Sequence, residues 1–118
     1  GITALGPLIH AALGAWAEDR IAGVPETWAA FGQRVNAAAL RLATLPAAGD
    51  VLVLSSGGVI SRLAQQALGA SDRVAIDLNL SLRNSGVCVF HARPHGLALD
   101  SWNALPHLHD ARELWTYY

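Results

Sequence analysis

Asp50-Val-Leu-Val-Leu-Ser-Ser-Gly-Gly-Val-Ile-Ser-Arg-Leu-Ala-Gln-Gln-Ala-Leu-Gly69 reads as strand, tight turn and helix. Val51 to Leu54 is a short unbroken apolar run opened by Gly49-Asp50, which predicts a strand buried on both faces. Ser55, Ser56, Gly57 and Gly58 then let the backbone turn sharply and approach another group closely. The helix that starts near Gly58 leaves its first amides unpaired and points its positive dipole end out of the turn, which is the physical basis of an anion site. Val59, Ile60, Leu63, Ala64, Ala67 and Leu68 make this helix apolar enough to lie on a sheet, and Gly69 follows where a left-handed cap is cheapest. The same small residues would serve a buried corner that binds nothing, so the turn is a candidate for chemistry and not proof of it.

Upstream, Ile2 to Ile21 has helical spacing through Leu5, Leu8, Ile9, Ala12, Leu13 and Trp16, with Thr3 as a first-turn cap and Pro7 tolerable near the start. His10 falls between the apolar positions and receives no role. After a break at Ala22–Pro25, Glu26-Thr27 opens a second helix with the stripe Trp28, Phe31, Val35, Ala38, Ala39 and Leu42. Glu26 favours its dipole there, and Arg34 and Arg41 share a face that could reach an anion. Pro46 to Gly49 ends the helix.

Downstream, Ser71 caps a short helix from Asp72 to Leu78 or Leu80. Gly86–Ala92 and Leu97–Trp102 read as an antiparallel hairpin around Arg93-Pro94-His95-Gly96. Leu114 to Tyr118 is an apolar, aromatic end expected to pack down.

The chain has 118 residues, enough for one domain that buries roughly two-thirds of its unfolded surface. With 53% hydrophobic and 14% charged residues it is no disordered chain. So low a charge density implies that part of the surface is covered, by the rest of an incomplete domain or by an oligomer. All eight basic residues are arginine against nine acids, and the net charge of -1 excludes the footprint of a nucleic-acid or anionic-membrane binder. Apolar stretches fall short of the ~20 residues of a membrane span and no leader opens the chain, so the expected location is the cytoplasm. The sequence neither starts with nor contains methionine, and it is expected to be part of a longer chain.

Neither a metal nor a cofactor is expected. His107-Leu-His109-Asp110 brings two histidines and an acid together only on an extended segment, with no further ligand fixed by spacing, and reads as a surface tail. His91 and His95 flank the hairpin turn and take no role. Cys88 has no disulfide partner in the chain and reads as a core residue.

Two helices, a buried strand, a helix and a hairpin predict a three-layer α/β/α arrangement with a mixed, mostly parallel sheet. It is incomplete in this chain, because a central strand needs neighbours on both edges and too few are offered.

Four pieces, in this order, resemble the C-terminal half of the phosphoglycerate mutase-like proteins of the histidine phosphatase superfamily. They are Pro25-Glu-Thr-Trp-Ala-Ala-Phe31 leading into Arg34-Val35, Val51 to Ile60, Leu78-Asn-Leu-Ser-Leu-Arg-Asn84, and Ser101-Trp-Asn-Ala-Leu-Pro-His107-Leu108. The resemblance covers about residues 25–110. It implies transfer or hydrolysis of phosphoryl groups through a phosphohistidine, with an Arg-His-Gly motif on a first strand and a second histidine after a later one. Arginines, histidines and backbone amides would neutralise the charge of the transferring group. No Arg-His-Gly occurs in this sequence, and Ser56 stands where the resemblance puts the second histidine. A serine hydroxyl can donate to a phosphate oxygen but carries no positive charge.

The expectation is a single domain over residues 1–118, the C-terminal part of a phosphoglycerate mutase-like domain acting on phosphate esters. Ser56 occupies the catalytic position. Ser55, Ser56, Gly57, Gly58 and Arg83 bind phosphate, with Arg62 as an alternative to Arg83. The partner is a small phosphorylated substrate or phosphate, and a homodimer is one way to cover the exposed half-core. The alternatives are a catalytically inactive phosphate-binding module and an interaction module. A serine hydrolase is disfavoured, because its Gly-x-Ser-x-Gly elbow would need glycine where Val53 or Leu54 stands.

Overall fold

Apolar residues at helical spacing form helices here, and the caps set where they start. In the computed structural model, which describes residues 2–46 and 49–117, α1 spans Ile2–Ala17, α2 Trp28–Ala43, α3 Gly57–Leu68 and α4 Asp72–Ser81. β1 is Val87–Arg93 and β2 is Gly96–Ala104, and two short 3-10 turns follow at Pro106–Leu108 and Arg112–Leu114. The Thr3 side chain, and with it the expected cap, the Ala47-Ala48 part of the turn before Asp50, and Tyr118 lie outside what the structure describes.

α1 stops four residues before Ile21, at a turn in which Asp19 adopts a left-handed φ of 57°, a conformation aspartate tolerates. Thr27 is the cap of α2 and not its first turn, its Oγ1 accepting from Ala30 N at 3.1 Å. Glu26 therefore sits outside the helix and turns to Arg34, accepting from Nε at 3.0 Å and from Nη2 at 2.9 Å. Ser71 caps α4 as expected, accepting from Val74 N at 3.2 Å. Gly69 closes α3 with φ 61°, the left-handed cap that its sequence position calls for.

α3 lies between α2 and α4, α1 packs on α4 and α2, and the hairpin covers α2 and α3. The core between these layers is Phe31, Val35 and Ala39 of α2 with Leu63 of α3, flanked by Trp16, Val59, Phe90 and Leu97. Ala64 of α3 and Ala75 and Ile76 of α4 are buried as well. β1 and β2 are antiparallel, with Phe90 opposite Leu99 and Arg93 opposite Gly96 across a two-residue turn. Gly96 has φ 144°, which side-chain-bearing residues rarely adopt. Cys88 is half-buried on β1, and its Sγ accepts from Asn103 N at 3.3 Å.

The sheet of the described residues is smaller than the full arrangement that the sequence suggests, and the Val51–Leu54 run is not buried in it. Among the described residues it has two strands, β1 and β2, and they are antiparallel; Val51–Leu54 pairs with neither. The four residues carry no regular structure and are 50, 87, 50 and 89% exposed in order, not buried on both faces. That period-two alternation is what an extended segment shows, so the apolar run has the form of a strand without a ladder. The physical reason is supply: the described residues provide one hairpin, whose strands satisfy each other, and an isolated four-residue run cannot close a hydrogen-bond ladder alone. No helix among the described residues is long and apolar enough to cross a membrane.

Candidate functional site

The corner from Ser55 to Gly58 is exposed at its serines and half-buried at its glycines, which begin α3. Ser56 is the N-cap residue, extended at φ -106° and ψ 162°, and its carbonyl accepts from Ile60 N at 3.0 Å. Its side chain makes no capping hydrogen bond. α2 and α4 each spend a hydroxyl on their own first turn, through Thr27 and Ser71, whereas the Ser56 hydroxyl of α3 is left free for another partner. Among the described residues no acceptor meets the amides of Gly57, Gly58 or Val59. Three N–H groups at the positive end of a twelve-residue helix are thus without an acceptor among the described residues, next to two exposed serines.

The glycines have separate packing reasons. A methyl on Gly57 would lie 2.7 Å from Asn79 Oδ1, so this position lets α4 approach the first turn of α3. A methyl on Gly58 would meet only the Phe31 ring edge, at 3.8 Å.

The two arginines considered for the site are engaged by other groups. Arg83 sits in the link between α4 and β1, donating through its backbone N to Asn103 Oδ1 at 2.8 Å and through Nη1 to the Asn103 carbonyl at 3.2 Å. Its guanidinium stacks over Trp115 at 4.3 Å, and its backbone bridges to Tyr117. Arg83 therefore braces the tail; none of these contacts involves the corner. Arg62 is 7% exposed, its guanidinium lying 3.9 Å from the centre of the Trp28 ring and 5.4 Å from that of Phe31, with Nη1 donating to the Trp28 carbonyl at 3.2 Å. Burial pulls this guanidinium below the ordinary arginine value, and the charge of Asp72 acts in the other direction. Arg34 is held by Glu26.

Sequence reasoning missed the setting behind the corner. Trp16 stands edge-on to Trp28 at 5.2 Å and stacks with Phe31 at 5.5 Å, and its Nε1 donates to the Glu26 carbonyl at 2.9 Å. Arg62 slides between this aromatic group and Gly32, where an added methyl would run into Nη2. The signal available was the coincidence of a glycine on α2 with an arginine one turn past Gly58 on α3.

Four of the five histidines form pairs, and among the described residues they build no larger cluster. His10 meets Asp77 at 3.1 Å, His91 meets Asp100 at 3.4 Å, His109 meets Asp110 at 3.1 Å, and His107 Nε2 lies 2.9 Å from Ser85 Oγ. Among the described residues no group of three or more His, Cys, Asp or Glu side chains could hold a metal ion.

Chemically, the corner can solvate an anion with amides and hydroxyls, and it offers neither a nucleophile with a base nor a positive side chain. Against known proteins, the family model described as histidine phosphatase superfamily (branch 1) matches residues 4–105. No curated protein and no solved structure matches the chain significantly.

Proposed function

The chain belongs to the histidine phosphatase superfamily, and from that premise we propose that Ser55–Gly58 is the phosphoryl-binding corner of a protein acting on phosphate esters. The observation that carries this reading is the uncapped start of α3, where the first amides have no acceptor and the exposed Ser56 makes no capping hydrogen bond among the described residues. In this reading Ser56 donates to a phosphoryl oxygen from the position of the family's second histidine. It stabilises bound charge by hydrogen bonding alone, so it neutralises less than an imidazolium would.

The reactive half lies elsewhere in the assembled protein, since no Arg-His-Gly occurs in these 118 residues. Val51–Leu54 is then a strand of a three-layer α/β/α sheet whose partners come from outside the described residues, and residues 1–118 form the C-terminal part of that domain. The unpaired, alternately exposed run leading straight into the corner supports this arrangement. The expected ligand is phosphate or a small phosphorylated compound. Phosphate binding without turnover, by this chain alone, is the direct consequence.

Ser56→His tests the geometry. A histidine facing the bound anion adds a charge-assisted bond, so the variant should bind inorganic phosphate roughly tenfold more tightly below pH 6 and lose that gain as the ring deprotonates. An affinity unchanged at every pH would show that residue 56 does not face the anion.

A further inference from the structure

We propose that the segment Asp50–Ser56 pairs with the same segment of a second copy, antiparallel and centred on Val53, so that the Asp50 carboxylate of each copy lies at the start of the other copy's α3. The strand pairing stands on its own; only its consequence for phosphate rests on the reading of Ser55–Gly58 as the phosphoryl corner.

Val51–Leu54 has no ladder partner among the described residues, and Leu52 and Leu54 are 87% and 89% exposed. Side chains alternate along an extended segment, so Asp50, Leu52, Leu54 and Ser56 share one face. Residues 50–56 contain no lysine, arginine or proline, the residues that ordinarily block addition of a strand to an open edge. The pairing takes one edge of the run and leaves the other for the sheet partners proposed above.

The chain also has surface to cover. Its accessible area is 7868 Å², whereas a folded monomer of 12.4 kDa exposes about 6100 Å². The difference of roughly 1700 Å² exceeds the ~800 Å² that each partner buries in an interface of standard size. With a net charge of -1, two copies meet without appreciable repulsion.

Symmetry and charge select the register. A two-fold axis normal to the paired strands keeps like faces together, so each residue opposes one an even number of places away. Centred on Val51 or Leu52, the pairing would set the Asp50 carboxylate against Leu52 or Leu54, where burial costs it water and returns no partner. Centred on Val53, it sets Leu52 against Leu54 twice, Val53 against its own copy, and Asp50 against Ser56 twice. Opposed Cβ atoms in such a pair are about 5 Å apart, which brings the carboxylate within reach of the first amides of α3. Those amides, of Gly57, Gly58 and Val59, have no acceptor among the described residues, and an acid is the favourable sign at the positive end of a helix. Asp50 is exposed, and none of the ion pairs among the described residues uses it. One segment supplies the acid, the amides and the apolar run at the spacing its own reversal requires, which is why a second copy is the occupant it fits.

The test is sedimentation velocity on the intact chain from about 10 to about 500 µM, with circular dichroism to confirm the fold. The parent should pass from the mass of one copy to that of two as concentration rises. Leu52→Lys and Leu54→Glu, both at exposed positions, should each weaken self-association about tenfold. Mixed in equal amounts, the two variants should associate about tenfold more tightly than either does alone, because the Val53-centred register sets the introduced lysine of one copy against the introduced glutamate of the other. Asp50→Asn should weaken the dimer about threefold. A parent that stays a single copy throughout overturns the proposal, and so does a dimer that Leu52→Lys leaves unchanged. A mixture no tighter than its components overturns the register. Saturating inorganic phosphate should shift the dimer toward single copies, since it takes the place of the carboxylate. Phosphate that moves the Gly57–Val59 amide resonances and leaves the dimer mass unchanged overturns the placement of Asp50. Phosphate that does neither removes the phosphoryl corner and leaves the strand pairing standing.

Discussion

Asn103 and Arg83 are joined twice, the Arg83 backbone N–H donating to Asn103 Oδ1 at 2.8 Å and Arg83 Nη1 donating to the Asn103 carbonyl at 3.2 Å. Asn103 also donates through Nδ2 to the Ser81 carbonyl at 2.8 Å, so one buried side chain ties the end of α4 to β2. It does so from a left-handed φ of 57°, which asparagine accepts more readily than most residues. Asn103→Ala should therefore cost about 3 kcal/mol in urea unfolding, since it strands a buried donor and a buried acceptor. Asn103→Gly removes the backbone strain but not that loss, and should recover only a minor part of it.

The Arg62–Trp28 stack predicts an inverted glycine effect. Replacing a mid-helix glycine by alanine usually stabilises by up to about 1 kcal/mol. At Gly32 the new methyl meets the Arg62 guanidinium, so Gly32→Ala should instead destabilise by about 1–3 kcal/mol. Arg62→Lys, which gives up the planar stack, should cost about 1–2 kcal/mol. Thermal or urea midpoints of the two variants and their double mutant check this, and the effects should fall short of additive.

Gly57 and Gly58 should separate under the same substitution. Gly58→Ala meets nothing closer than Phe31 at 3.8 Å and should be neutral or stabilising by a few tenths of a kcal/mol. Gly57→Ala forces the Asn79 side chain to swing away, which offsets the helix gain. Of the two, Gly57→Ala should have the lower unfolding midpoint.

Acid stability should carry a small contribution from Glu26. The hydrogen bond from Arg34 holds its carboxyl below the usual value of 4.5, partial burial opposes this, and the charge of Arg34 adds to the lowering. A carboxyl depressed in the folded state contributes stability that is complete above its unfolded pKa and is lost as pH falls through the folded one. Unfolding midpoints of the parent and Glu26→Gln should thus differ at pH 7 and converge as pH drops below 4.5.

What was legible in the sequence was local. Ser71 and Thr27 stand next to apolar periodicity and cap α4 and α2, and the Arg93–Gly96 turn announces the hairpin. Val51–Leu54 stands exposed and unpaired among the described residues because apolar β-branched composition records that a strand wants burial, and not whether partners are at hand. Arg62 defaults to solvent on any helix reading; its burial depends on Trp28 and Gly32, which lie on another helix and reach it only in the fold. Arg83 was expected to brace the corner because it precedes a strand on the same side of the sheet; its stack on Trp115, far along the chain, was not readable from sequence. For the candidate site, the uncapped turn was readable from its small residues, and the aromatic group behind it was not, since it joins two helices.

The most direct test of the central claim is a titration of the ¹⁵N-labelled chain with inorganic phosphate, followed at each backbone amide. The amides of Gly57, Gly58 and Val59 should move together along one saturating curve, with the amides at the starts of α2 and α4 unaffected. Stationary resonances at those three amides under saturating phosphate, or shifts of equal size spread over the whole surface, would contradict a phosphoryl site at the start of α3.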